Sequence, residues 1–363
     1  GGDGTDTLQL TGTLDYAAAT AVDDASGIKG FEVLQSGGTI AQDMTGLAVN
    51  NTITSAKVAG HTVVLTKDTG IADVTFTADN ASLTMASAGT QTLTLGGDNG
   101  AGVPTDVQSA TFKSGATALN IVSAGTDAAN DNGVSLTGTA VATITVTGNE
   151  DLDLTANASK AISSIDFSGS AAEEVSASAS ASTVAMTYKT GSATQTSALT
   201  TGKGADTITL GEKDDTVTNS GDGADTITAG AGNDTITQTG KGADSIDLGE
   251  GDSQSVGDSG AGNDTITGGS GNDTVTSAGA DNDTITLGGG NDVVTDAGSG
   301  NDVIDGGTGN DNLSGGTGDD SITGGTGDDT LSDGAGNDTV IGGDGVDTIT
   351  IATGNDNVDA GAG

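Results

Sequence analysis

From Thr200 to the end of the chain, apolar side chains recur one at a time. Ile208, Val217, Ile227, Ile236, Ile246, Ile266, Val275, Ile285, Val294, Ile304, Leu313, Ile322, Leu331, Val340, Ile349 and Val358 mostly stand between polar neighbours, as in Thr207-Ile208-Thr209. An alternation of period two sends one side chain inward and its neighbours outward, so each triplet predicts a short strand with a thin apolar face. Glycine-rich runs between the triplets predict turns. No extended 3.6-residue periodicity appears, which excludes a helical fold for this half.

The turns carry the second pattern. An aspartate follows each glycine run two residues before the aliphatic: Asp206, Asp215, Asp225, Asp234 and Asp244, then Asp264, Asp273, Asp283, Asp292, Asp302, Asp311, Asp320, Asp329, Asp338, Asp347 and Asp356. Spacings alternate between 9 and 10 as far as Asp302 and are 9 from there on. The series lapses once, where Ser253 takes the aspartate position, Ser255 the aliphatic one, and the next spacing is 11. Glycine stands four residues before each register residue except at Ala352, and two before except at Lys213 and Asp281.

These positions spell G-G-x-G-x-D-x-U-x, with U aliphatic, and Gly306-Gly307-Thr308-Gly309-Asn310-Asp311-Asn312-Leu313-Ser314 is a complete copy. Residues 201–363 therefore resemble the RTX, or haemolysin-type calcium-binding, repeat family. The resemblance implies a right-handed parallel β-roll with two repeats per coil. Repeat n then stacks on repeat n+2, with Ca²⁺ between them and the sixteen register aspartates as its ligands. Coils of 19 residues, then 18, follow from the spacings. The residue types suit the task, because glycine turns where other residues cannot and hard carboxylate and carbonyl oxygens match Ca²⁺.

Residues 1–200 have a looser grammar. Val74-Thr75-Phe76-Thr77, Thr92-Leu93-Thr94-Leu95, Ala142 to Thr147 and Asp151-Leu152-Asp153-Leu154 alternate, separated by turn signals such as Gly96 to Gly100 and Asn130 to Gly133. Small side chains dominate, which favours the narrow interior of an irregular β-solenoid over an immunoglobulin-type sandwich. Ala161 to Gly169 resembles repeats of calcium-dependent bacterial surface-layer proteins that also carry RTX arrays. Gly1 to Gln9 reads as an orphan repeat, and Gly361-Ala362-Gly363 breaks off within another, so the sequence reads as a portion of a longer chain.

Composition narrows the function. The chain holds 51 acidic residues against 9 lysines and arginines, for a net charge of −42, with no Cys and a single His. Residues 201–363 hold 29 Asp, 2 Glu and 3 Lys, a net −28. Seventeen registers allow about fifteen n/n+2 pairs, and that many Ca²⁺ would nearly cancel this charge. Such a charge repels phosphate backbones and anionic leaflets. Disulfides and Cys-based zinc sites are excluded, and no apolar run approaches the ~18 residues of a membrane helix. Neither H-E-x-x-H nor G-x-S-x-G occurs. Gly257-Asp258-Ser259-Gly260 lies inside the array with only His61 as a base, and reads as an irregular calcium loop. Carboxylate pairs such as Asp319-Asp320 read as ligand or solvated-turn residues. Outward turn residues such as Lys203, Glu212, Asp222 and Ala231 lack the regular threonine array that ice binding needs.

The expectation is an all-β protein: an irregular β-solenoid over 1–200, then a calcium β-roll over 201–363. It is expected to be a secreted, non-enzymatic surface protein of bacterial surface-layer type, folding on Ca²⁺ and assembling into a homo-oligomer or lattice. Cell-surface polysaccharide is a further expected partner. A rigid RTX adhesin segment and the folding module of an exported enzyme are the alternatives.

Overall fold

The computed structural model describes residues 7–11, 33–37, 40–42, 55–59, 62–65, 73–76, 82–85, 89–96, 106–112, 116–124, 132–136, 141–149, 151–156, 161–191, 195–219, 221–251, 254–258, 260–277, 279, 281–296 and 298–363. All regular structure among them is β, and every strand pairing is parallel. No helix among them is long and apolar enough to cross a membrane. The chain divides into two compact units, Gly1–Val184 and Ala185–Gly363. The Gly/Asp period begins inside the second.

In the first unit, strands alternate between two parallel sheets, which is the connectivity of a solenoid. The strand Val33–Gly37 pairs with Ser55–Ala59, which pairs with Asp73–Phe76, while Ile40–Gln42 pairs with Thr62–Leu65 on the other face. A sandwich would need antiparallel neighbours. Coil length varies, from the 18-residue step Ser55↔Asp73 to the 28-residue step Thr92↔Asn120. Leu119, Ile121, Ile144, Val146, Leu152, Leu154, Ile165 and Phe167 are buried where the alternation points them inward. Asn132 and Gly133, read from sequence as turn residues, begin the strand Asn132–Leu136 instead. Gly1 to Asp6 of the orphan repeat, and His61, lie outside the described residues.

The second unit is a β-roll in which each repeat pairs with the repeat after next. Thr207–Thr209 pairs with Thr226–Thr228, then with Ser245–Asp247 and Thr265–Thr267. Thr216–Asn219 pairs with Thr235–Gln238 on the opposite sheet. Ile208, Ile227, Ile246, Ile266, Ile285, Ile304, Ile322 and Val340 stack in one buried column. Val217, Ile236, Val256, Val275, Val294, Leu313 and Leu331 form the other. The roll is two strands thick and its apolar core is thin, so its turns must hold as well as its core.

The lapse resolves differently from its sequence reading. Gln254, not Ser253, takes the register position: Ser255 N–H reaches the Asp234 carbonyl at 2.9 Å, and Thr274 N–H reaches the Gln254 carbonyl at 2.9 Å. Val256 rather than Ser255 then points inward and pairs with Val275. The coil shifts by one residue to keep an aliphatic in the column, because a one-residue slip in a strand exchanges its faces. Asp252, Ser253 and Ser259 lie outside the described residues.

Candidate metal centre

Two columns of register aspartates run along the roll, one beside each sheet. Asp206, Asp225, Asp244, Asp264, Asp283, Asp302, Asp320, Asp338 and Asp356 form one. Asp215 and Asp234 begin the other, which passes Gln254 and continues through Asp273, Asp292, Asp311, Asp329 and Asp347. Within each column the backbone N–H of one aspartate donates to Oδ1 of the aspartate one coil on. Asp292 N–H to Asp311 and Asp311 N–H to Asp329 both measure 2.8 Å. From Asp206 to Asp338 every register aspartate is buried.

The other carboxylate oxygen is left over. Oδ2 of Asp206, Asp234, Asp292, Asp311, Asp320, Asp329, Asp338 and Asp347, and Oδ1 of Asp273, are buried and take no hydrogen bond from the protein. Such an orphan costs about 1–3 kcal/mol, more when charged. Burial pushes register carboxyls up in pKa, Asp206 and Asp234 to about 7 and Asp215, Asp292, Asp311 and Asp320 to about 6. For Asp206, Asp234, Asp292, Asp311 and Asp320 the neighbouring carboxylate along the column adds a smaller push in the same direction.

Glycine leaves room beside the orphan oxygens. A Cβ at position 315 would stand 2.6 Å from Asp320 Oδ2 and 2.9 Å from the Asp333 carbonyl oxygen of the next coil. The same juxtaposition recurs at Gly306, Gly324 and Gly342, before Asp311, Asp329 and Asp347, and at Gly268 with Asp273 Oδ2, which Gly269 N–H reaches at 3.4 Å. Glycine makes the turn possible: Gly307 and Gly309 have φ of +98° and +128°, where a side chain would also strike the preceding coil. Carboxylate and carbonyl oxygens converge on one small buried space. The donor set therefore fits a hard cation such as Ca²⁺, which would supply the charge these carboxylates lack.

Family comparison agrees with this geometry. Residues 200–236, 219–254, 258–278, 277–295, 296–331, 314–349 and 323–358 match the family model for the RTX calcium-binding nonapeptide repeat (4 copies). Over those residues the chain is similar to an RTX repeat array. No curated protein and no solved structure was found to match the chain.

Not all of the RTX array has the glycine-lined arrangement. Leu210, Ala229, Leu248 and Leu287 take the first motif position in their repeats, and all four are buried. In the 10-residue spacings after Asp215 and Asp234 a fourth strand residue, Asn219 or Gln238, also points inward, and both are fully buried. Asn219 Nδ2 donates to Asp225 Oδ2 at 2.6 Å, and Gln238 Nε2 donates to Asp244 Oδ2 and, at 3.3 Å, to Asp225 Oδ2. Thr201 Oγ1 and Gly221 N–H fix the Asn219 amide by donating to its Oδ1, at 2.7 and 3.0 Å. In these first coils an amide N–H answers the oxygen that a cation would otherwise answer. Asn219→Ala should destabilise the calcium-loaded chain by about 1–3 kcal/mol, the cost of a buried carboxylate losing its donor. Urea denaturation monitored by circular dichroism checks this.

A second ladder escaped the sequence reading. From Asn282 onward the residue before each register aspartate bonds in the opposite direction along the chain. Asn310 N–H donates to Asn291 Oδ1 at 2.8 Å, Asp328 N–H to Asn310 Oδ1 at 2.9 Å, and Asn337 N–H to Asp319 Oδ1 at 2.7 Å. Each turn is thus clamped to both neighbours. The recurring Asn-Asp and Asp-Asp dipeptides were its visible signal, and Asp319 belongs to this ladder.

Proposed function

We propose that the chain is a calcium-folded, non-catalytic structural module of an extracellular bacterial array of surface-layer type, with its register aspartates facing the ions except Asp225 and Asp244, whose Oδ2 the Asn219 and Gln238 amides take. The observation that carries this reading is the repeated pairing of a buried, unanswered carboxylate oxygen with a next-coil carbonyl across a glycine. RTX repeat proteins are typically secreted. A low-calcium cytosol would keep such a chain open for export, and calcium outside would close it.

Assembly is supported by the outer faces. Thr207, Thr226, Ser245, Thr265 and Thr284 form an exposed, uncharged row across consecutive coils, and Val303 continues it at 48% exposed. Uncharged hydroxyl rows on a parallel sheet can pack on a like surface once the charge of the turns is neutralised. Sedimentation across a Ca²⁺ titration tests it. Ordered oligomers should appear with saturation of the sites, and high NaCl should replace Ca²⁺ only in part, since screening supplies no ligand-directed fold. A folded chain that stays monomeric at saturating Ca²⁺ and high protein concentration rejects assembly and leaves a rigid adhesin spacer as the better reading.

A further inference from the structure

One repeat departs from the glycine-lined arrangement in a way that adds chemistry. In Asp333-Gly334-Ala335-Gly336-Asn337-Asp338 the first motif position, glycine at 268, 306, 315, 324 and 342, carries a carboxylate. The Asp333 side chain is completely buried, at 0% exposed, and Asp338 is 1% exposed. Asp333 Oδ1 accepts the Ala352 N–H of the next coil at 2.8 Å, which fixes the group and leaves Oδ2 over. Asp338 Oδ1 is likewise engaged by Asp320 N–H at 2.8 Å. Oδ2 of both residues is buried with no hydrogen-bond partner. Asp356, reached from Asp338 N–H at 3.1 Å, closes the group from the next coil. Carboxylate oxygens of Asp333, Asp338 and Asp356 lie within 4.8 Å of one another.

Packing does not account for Asp333. Glycine fills the position in five repeats and a buried aliphatic fills it in four others, so the turn closes without a carboxylate. Three carboxylates held this close, two of them buried with an unanswered oxygen, require positive charge between them. An amide like that of Asn219 would answer one oxygen and not three.

We propose that Asp333, Asp338 and Asp356 form a three-carboxylate site for one hard cation, and that it binds Ca²⁺ more tightly than the glycine-lined sites of the same roll. The proposal rests on the calcium reading of the repeats and adds a ligand and an order of filling to it. Affinity for Ca²⁺ rises with the number of charged ligands and the rigidity of the site, and both are greater here. The site should fill first as calcium rises, and it should favour a trivalent lanthanide over Ca²⁺ more strongly than its neighbours do. Mg²⁺ retains its water shell and suits a buried, dehydrated group poorly.

The test uses the full chain with Ca²⁺ in calorimetry and Eu³⁺ in excitation spectroscopy, whose line position responds to the charge of the ligand set. Asp333→Gly restores the pattern of the neighbouring repeats, and Asp333→Asn keeps the shape without the charge. In the unaltered chain one ion per chain should bind roughly tenfold tighter than the rest, the scale on which ligand charge tunes such sites. It should give its own Eu³⁺ line. Both variants should lose that class and that line while keeping the remaining calcium isotherm and the β circular dichroism at saturation. Retention of the tight class and the Eu³⁺ line in both variants overturns the role of Asp333 and leaves the calcium reading standing. Absence of calcium binding in the unaltered chain overturns both.

Discussion

In excess chelator the Ala185–Gly363 unit should lose most of its β circular dichroism, and regain it cooperatively as free Ca²⁺ rises through ~10⁻⁴–10⁻³ M, the range of extracellular calcium modules. From Asp302 to Asp338 each nine-residue repeat buries one aliphatic, which returns only about 1.5–3 kcal/mol. Against this stand buried carboxylates in two columns, within residues 201–363 of net charge −28. The ladder of N–H to Oδ1 bonds satisfies half of each carboxylate and leaves the charge in place. Metal binding and folding should therefore be one event. Loss should not be uniform. Around Asn219 and Gln238 the amides answer Asp225 and Asp244 without metal, so hydrogen exchange in partial chelation should stay slowest there. The coils from Gly306 to Asp329, which have the glycine-lined arrangement and lack the Asp333 carboxylate, should open first. An unchanged β signal in chelator would reject the account, and faster exchange at 216–244 than at 306–329 would reject its amide part.

What the sequence made legible was whatever repeats at fixed spacing. The inward aliphatics, the register aspartates and the pairing of each repeat with the one after next all follow from a period that serves strand and turn at once. Three features were hidden because they break the period. The tenth residue of the longer repeats reads as a spacer that keeps coils in phase, yet Thr216-Val217-Thr218-Asn219 continues the strand alternation and buries Asn219. Its signal was the unbroken period of two. At the lapse, burial of Val256 outweighed the glycine phase and moved the register to Gln254. Asp333 lies outside the register that the period marks, and only the fold shows that its carboxylate meets Asp338 and Asp356. In the first unit, strands were legible but their partners were not. Coil steps between 18 and 28 residues carry no repeat from which pairing can be counted.

Acid should do part of what calcium does. Asp206 and Asp234 are raised to about 7, and Asp215, Asp292, Asp311 and Asp320 to about 6, chiefly by burial. An unfolded aspartate titrates near ~3.9. The folded roll therefore binds protons more tightly than the unfolded chain, and linkage makes stability fall as pH rises wherever the native state holds more protons. The contribution is fully present below the unfolded value of ~4 and is lost as pH climbs through about 6 to 7. Metal-free protein at pH ~4.5 should consequently show more β structure than at pH 8, with a midpoint inside that window. Protonation removes the column charge while Oδ1 goes on accepting the N–H of the coil before it. Calcium and protons compete for the same carboxylates, so lowering the pH from 8 to 5 should shift the calcium midpoint of folding to higher concentration even as the metal-free baseline rises. Circular dichroism on a grid of pH and free Ca²⁺ reads both effects together. A metal-free roll that loses structure between pH 7 and pH 4.5 would contradict the sign of the shifts, and a calcium midpoint independent of pH would place the ions away from these aspartates.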